Sequence, residues 1–207
     1  MTPRARPMAP EDRRQAIVEA LIPLLVERGS DVTTKEVARA AGIAEGTIFR
    51  VFPDKRSLFL AAAEEAVNPA GGEEAFDAVL ADITDLREGV LVVTHRIVDR
   101  MRLTMSVMMA VRPLLIAAFH DEKAAGGKSQ FGPPAFVVKA QDDLHRRLTR
   151  LFEPHADALS VDPDTAAIAL RGLIFGTHRP ELGMTPALTP DQIADLLLGG
   201  VLARKAH

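Results

Sequence analysis

Residues 33–58, TTKEVARAAGIAEGTIFRVFPDKRSL, pack the start and stop signals of two helices into a short span. Thr33 stands three residues before Glu36, the spacing of a capping box in which Thr33 accepts from the Glu36 amide and the Glu36 carboxylate reaches back. Val37 and Ala41, four apart, give this helix an apolar edge. Gly42 follows Ala40 and Ala41, where a residue able to take positive φ closes one helix and lets another cross close by; Ile43 plugs the junction. The next helix runs from about Glu45 to Val51 and stops there, because Pro53 disfavours helical geometry at Phe52. Ile48 and Phe52 are its apolar face, which leaves Thr47, Phe49 and Arg50 to face outward. Helix, glycine turn and short second helix form the layout of a helix-turn-helix, whose second helix enters a DNA major groove.

Composition limits the rest. A chain of 207 residues with 47% apolar content can bury a core, as one unit or as a small and a larger domain. Aromatics are 4%, with no Trp or Tyr, so that core is mostly aliphatic. The absence of cysteine excludes a disulfide framework, a thiolate metal site and a thiol nucleophile. The opening MTPRARPMAP lacks the apolar run of a signal peptide. The best candidate for a membrane span, Leu103 to Phe119, is broken by Arg112 and Pro113, so no membrane partner and a cytoplasmic location are expected. The net charge of −3 divides unevenly. Residues 1–60 hold ten Lys/Arg against eight Asp/Glu, a balance of +2, and the remainder holds fifteen against twenty, a balance of −5. A mildly basic end attached to an acidic body fits a DNA-reading end, although a random split of surface charge produces such a difference as readily.

Periodicity predicts an all-α chain without strand alternation or internal repeat. The first helix covers about 10–28, with Ile17, Leu21, Leu24 and Leu25 on one face, Gly29 as its stop, and Pro23 expected to kink or weaken it. A fourth helix runs from near Lys55 to about Val67 and ends at the breaker Asn68-Pro69-Ala70-Gly71-Gly72. Helical segments follow near 73–85, 88–111 and 112–120, then a glycine-rich loop at 121–133 and an amphipathic helix at about 134–152. Two more, near 163–178 and 190–204, each open with Pro and Asp.

The stretch T-x-x-E-V-A-x-x-A-G-I-A-x-G-T-I-F-R-x-F-P-D-K-x-x-L resembles the N-terminal signature of the TetR-type one-component bacterial repressors. The resemblance spans the whole motif. It implies a three-helix DNA-binding domain, assigned to 1–55, and a larger helical ligand-binding and dimerisation domain, 56–207, with the fourth helix as the link. Two positions depart from the pattern: Phe49 stands where the family usually has Tyr, and Val51 where it often has His. Phe49 cannot donate a hydroxyl to a phosphate, so an altered operator is expected.

The partner expected at this end is a double-stranded DNA operator, and the candidate contact set is Thr33, Thr34, Arg39, Ala44, Glu45, Gly46, Thr47, Phe49, Arg50 and Lys55. Arg50 can read guanine bidentately, and Lys55 with the start of its helix can hold a phosphate. Arg4, Arg6, Arg13 and Arg14 form an arm that can enter the minor groove. For Thr33 capping alone is a sufficient explanation.

A short reading helix covers few base pairs, so two copies about 34–36 Å apart are needed to read a palindrome. The last two helices offer a homodimer surface, with Ala166, Leu170, Leu173, Ile174, Gly172 and Gly176 on one and Ile193, Leu196, Leu197, Leu198, Val201 and Leu202 on the other. Burial in the subunit's own core is the alternative. In the middle, Met101, Met105, Met108 and Met109 share one helical face, suited either to plain core or to a cavity for a small, largely apolar effector. His95, Arg112, Phe119 and Phe136 complete the ligand candidates, with His120 and Phe131 close by in sequence. No catalytic constellation, metal-ligand spacing or cofactor motif is present, and His120-Asp121-Glu122 reads as a solvated helix end. The function expected is a ligand-responsive regulator, a repressor in its simplest form. A small-molecule carrier with a vestigial helix-turn-helix is the alternative.

Overall fold

The computed structural model describes residues 9–124, 133–178 and 187–201, and no strand occurs among the described residues. In chain order the helices are α1 (Pro10–Arg28), a 3-10 turn (Gly29–Asp31), α2 (Thr34–Ala40), α3 (Glu45–Val51), α4 (Lys55–Val67), α5 (Gly72–Leu80), α6 (Leu86–Ala124), α7 (Ala135–Phe152), a second 3-10 stretch (Glu153–Ala158), α8 (Pro163–Thr177) and α9 (Pro190–Val201). The all-α expectation holds, with the helix-turn-helix at the N-terminal end.

One expectation about proline needs correcting. The segments 88–111 and 112–120 are one helix, α6, with Pro113 inside it. Pro113 and Met109, the residue four before it, are both exposed, so the carbonyl that loses its amide partner faces water and the helix continues. The same holds at Pro23 of α1, where Glu19 is the exposed residue four before. The glycine-rich loop expected at 121–133 begins later, since 121–124 close α6, and 125–132 lie outside the described residues. The expected helix 73–85 ends at Leu80, and Asp85 instead accepts from the Glu88 amide at 2.8 Å, capping the start of α6.

Packing gives two compact units: residues 1–69 with 102–133, and 70–101 with 134–207. The first unit holds α1–α4, and α6 supplies residues to both units. In the first unit Ile17, Val18, Leu21 and Leu25 of α1 are buried, together with Leu58, Phe59, Ala61, Ala62, Ala63 and Ala66 of α4 and Val107, Ala110 and Val111 of α6. The run of small side chains on α4 lets its neighbours approach closely. The Thr104 hydroxyl donates to the Ala66 carbonyl at 2.7 Å and fixes α6 against the end of α4.

The core of the second unit joins Phe76, Val90, Val93, Ile97, Leu148, Phe152, Leu170, Ile174, Ile193 and Leu197. Gly89 is buried, and a Cβ there would stand 2.8 Å from Leu151 Cδ1, so glycine is what lets α6 lie on α7. Arg87 forks onto Asp191 and Asp195 of α9, and Arg150 onto Glu73 and Asp77 of α5. Such exposed pairs contribute about 0–1 kcal/mol each, so apolar burial sets the packing and the ion pairs refine it. This core also takes up part of the expected dimer face. Ala166, Leu170 and Ile174, with Ile193, Leu197 and Leu198, are buried within the subunit, whereas Leu196 of that face is exposed, as is Ile168, which was not part of it.

The capping box at α2 is present. The Glu36 carboxylate accepts from the Thr33 amide and hydroxyl, and it pairs with Arg28. The Thr33 hydrogen bonds, backbone first, and then Arg28 hold its pKa down from the ordinary 4.5 to about 2. A carboxylate with a depressed folded pKa stabilises above its unfolded pKa and loses that contribution as pH falls through the folded one. The difference in thermal midpoint between the wild type and Glu36→Gln should therefore stay constant from pH 7 to about 5 and close between 4.5 and about 2. A difference that widened on acidification would contradict this account.

Candidate nucleic-acid interface

The turn between α2 and α3 is closed by three backbone hydrogen bonds. The Ala41 amide donates to Val37, Gly42 to Arg39 and Ile43 to Ala38, the last at 3.0 Å. The Gly42 and Ile43 bonds are the pair that defines a Schellman end, which requires a left-handed residue, and Gly42 has φ +66°. Ala44 then starts α3 without a side-chain cap, and Phe52 ends it in extended geometry before Pro53.

Ile48 is 1% exposed and Phe52 0%, and these two anchors fix the rotation of α3. Gly46 and Arg50 consequently face solvent, Phe49 is 51% exposed, and Thr47 is half-buried. Arg39 and Ala44 are exposed as well. Several members of the expected set already have partners within the protein. Thr33 is the α2 cap. The Thr34 hydroxyl donates to the Glu45 carboxylate at 2.6 Å, across the turn. Lys55 Nζ donates to the Ser30 carbonyl at 3.2 Å and lies 4.9 Å from the centre of the Phe59 ring. The ammonium carries two more protons, so Lys55 is positioned by these contacts and keeps donors for a phosphate.

Three features escaped the sequence reading. Asp54 caps α4 in a second capping box with Ser57, a D-x-x-S spacing that was legible. The Ser57 hydrogen bonds hold the Asp54 carboxyl below its ordinary range, so a fixed negative charge stands beside Lys55. Arg14 stacks over Phe52 with its guanidinium carbon 4.5 Å from the ring centre, so it braces α3 from α1. Arg13 also belongs to α1, while Arg4 and Arg6 lie outside the described residues.

The ligand candidates are divided between the two units. Met105, Met108, Met109 and Arg112 fall in the first unit, and His95, Met101 and Phe136 in the second. Met101 packs on the second unit's core, and His95 and Arg112 are exposed. The side chains of Phe119 and His120 lie outside the described residues, as does the whole of Phe131. Met105 and Met109 line an open groove of about 500 Å³ with Leu25, Val26, Gly29, Ser30, Ser106 and Ala110, all of the first unit. Among the described residues no cluster of His, Asp and Glu is suited to a metal ion.

The profile of bacterial regulatory proteins of the tetR family matches residues 17–62, which spans α1 through most of α4. The head of the chain is similar to the N-terminal domain of that family. The resemblance read from 33–58 holds and extends through the helices on either side. The nucleoid occlusion factor SlmA of Marinobacter nauticus is 42% identical over 59 residues, which is 27% of this chain and 30% of that protein's length. Over the whole fold, a Mesorhizobium loti protein assigned to the TetR family superposes with a TM-score of 0.66 at 16% identity, covering 95% of this chain and all of that one. The TetR transcriptional regulator SCO0520 of Streptomyces coelicolor gives 0.56 at 22% identity, covering 91% and 98%. These establish a TetR-like fold over the rest of the chain as well.

Gly42 and Gly46 of that head predict opposite outcomes. A Cβ meets nothing within 4 Å at either position, but only Gly42 has positive φ. Gly42→Ala should lower stability by about 1–2 kcal/mol from backbone strain alone. Gly46→Ala should raise it by about 0.5–1 kcal/mol through helix propensity. Thermal unfolding reads this as midpoint shifts of opposite sign, about 2–4 °C per kcal/mol for a chain of this size.

Proposed function

We propose that the chain is a ligand-responsive transcriptional regulator, a repressor, that binds a palindromic operator as a homodimer and is released by a small, largely apolar effector. The observation that carries this is the outward face of α3, where Gly46, Phe49 and Arg50 stand clear of the fold because Ile48 and Phe52 hold the opposite side. Arg39, Thr47 and Lys55 flank it, and Ala44 and Glu45 lead into it. A seven-residue helix is about 10 Å long and reads few base pairs, so a second copy is required.

The exposed stripes of α8 and α9 support the pairing. Ile168, Gly172 and Gly176 recur every fourth residue on α8, and Leu196, Gly199 and Gly200 stand at i, i+3 and i+4 on α9. Nothing lies within 4 Å of a Cβ built at any of these glycines, so a partner's backbone has room to approach. Two copies of each helix would form a four-helix isologous interface.

The groove lined by Met105 and Met109 is the proposed effector site. Its volume of about 500 Å³ suits a small molecule, and thioethers adapt to apolar ligands of varied outline. The wall formed by Gly29 and Ser30 belongs to the 3-10 turn whose Ser30 carbonyl positions Lys55. A ligand that displaced that turn would move Lys55 and the start of α2 together. To empty a nearly full operator it must favour the displaced state by several kcal/mol. No helix among the described residues is long and apolar enough to cross a membrane, and a cytoplasmic site of action goes with this reading.

A second reading is favoured by the relatives matched over the head, which are named as nucleoid occlusion factors. Fluorescence anisotropy on the DNA upstream of its own gene, with random duplex as control and a salt series, tests the regulator reading. Specific binding with a steep salt slope is expected, and Arg50→Ala should weaken it by about 1–3 kcal/mol. Specific sites scattered along the genome would support the second reading. No preference over random duplex at any site would favour the carrier with a vestigial head.

A further inference from the structure

We infer that Phe49 reads the C5-methyl group of a thymine in each half-site and is a specificity-determining residue of the DNA-reading helix; this rests on the DNA-binding function proposed above. The rotation of α3 is set by Ile48 and Phe52. At about 100° per residue, Gly46 and Arg50 point nearly opposite Ile48, and Phe49 lies about 100° from it. The phenyl ring therefore stands on the flank of the outward arc, 51% exposed, one position before the arginine.

Water is a poor solvent for that ring, and a phosphate is a poor partner, because phenylalanine has no donor. In the major groove the apolar group among the base edges is the thymine methyl. The surroundings favour this contact. Gly46 leaves the arc bare beside the ring, with nothing within 4 Å of where its Cβ would be, so the backbone can come close to the bases. Glu45, one turn before Phe49, has its carboxylate held by the Thr34 hydroxyl at 2.6 Å, tied to α2. Arg50 supplies the polar contact next in line. The ring and the arginine together describe a thymine beside a guanine or a phosphate.

The test uses the full chain on duplexes it enriches from a random pool. Each thymine of the enriched half-site is replaced by uracil, which removes only the methyl group. Uracil at one symmetric position should weaken binding about fourfold per half-site, the factor equivalent to about 0.8 kcal/mol for one buried methyl. Phe49→Ala, measured at low salt where phosphate contacts sustain binding, should bind thymine and uracil duplexes alike, while Phe49→Leu keeps the preference. A flat uracil scan, an enriched half-site without thymine, or a penalty that persists in Phe49→Ala overturns the inference. Enrichment of no sequence at all would instead remove the DNA-reading function on which it stands.

Discussion

Burial of Ile48 and Phe52 is the contact on which the reading face depends. An isolated helix of seven residues is far too short to persist in water, because nucleation fixes three residues for the first hydrogen bond. Ala44 offers no side-chain cap to offset that cost. Tertiary packing must therefore hold α3, and it does so through two fully buried side chains one turn apart. Arg14 adds a cation over the outer face of the Phe52 ring, so α1 guards the anchor as well as packing beside it. Loss of a buried Phe ring costs about 3–5 kcal/mol, a large part of the 5–15 kcal/mol that keeps a domain folded. The outward positions carry no such demand, which is why they are free to present residues for recognition.

The helices of the head were legible because each is punctuated locally. Pro10 and Gly29 bracket α1, Thr33 and Gly42 bracket α2, and Pro53 separates α3 from α4. Legibility fell where solvent decided the outcome. Pro113 reads as a break in sequence, yet its place on the water-facing side of α6 lets the helix continue. The apolar stripe of α8 shows the same limit. Periodicity correctly placed Leu170 and Ile174 on one face, but it could not say whether that face met the subunit's own core or a partner. Ile168, which points the other way, carried no signal until the core was on view.

The candidate site was legible as a list of residues and illegible as a network. Thr34 meets Glu45 eleven residues on, and Lys55 reaches Ser30 twenty-five residues back. No helical period or motif relates positions at those separations; only the folded turn does. Both contacts alter the meaning of the residues concerned. Glu45, a negative charge on a helix bound for a polyanion, is restrained at the α2 end. Lys55, a free cation in sequence, is aimed by a backbone carbonyl and an aromatic ring.

That restraint bears on how the head would divide affinity from specificity. A phenolic hydroxyl on a phosphate contributes a neutral hydrogen bond, whereas lysine and arginine displace condensed counterions and set the salt slope. On the proposed DNA-reading role, phenylalanine at position 49 would remove affinity equally at every salt concentration and leave the slope to Arg39, Arg50, Lys55 and their neighbours. The ring it leaves behind can recover part of that loss, but only at sequences that offer an apolar group. Exchanging a sequence-blind contact for a sequence-dependent one widens the gap between specific and non-specific binding even if the best operator is held no more tightly. On a chromosome full of competing sites, that gap governs occupancy more than the absolute affinity does. On the proposed reading, a head that sets one half-exposed ring beside Arg50 would discriminate rather than cling.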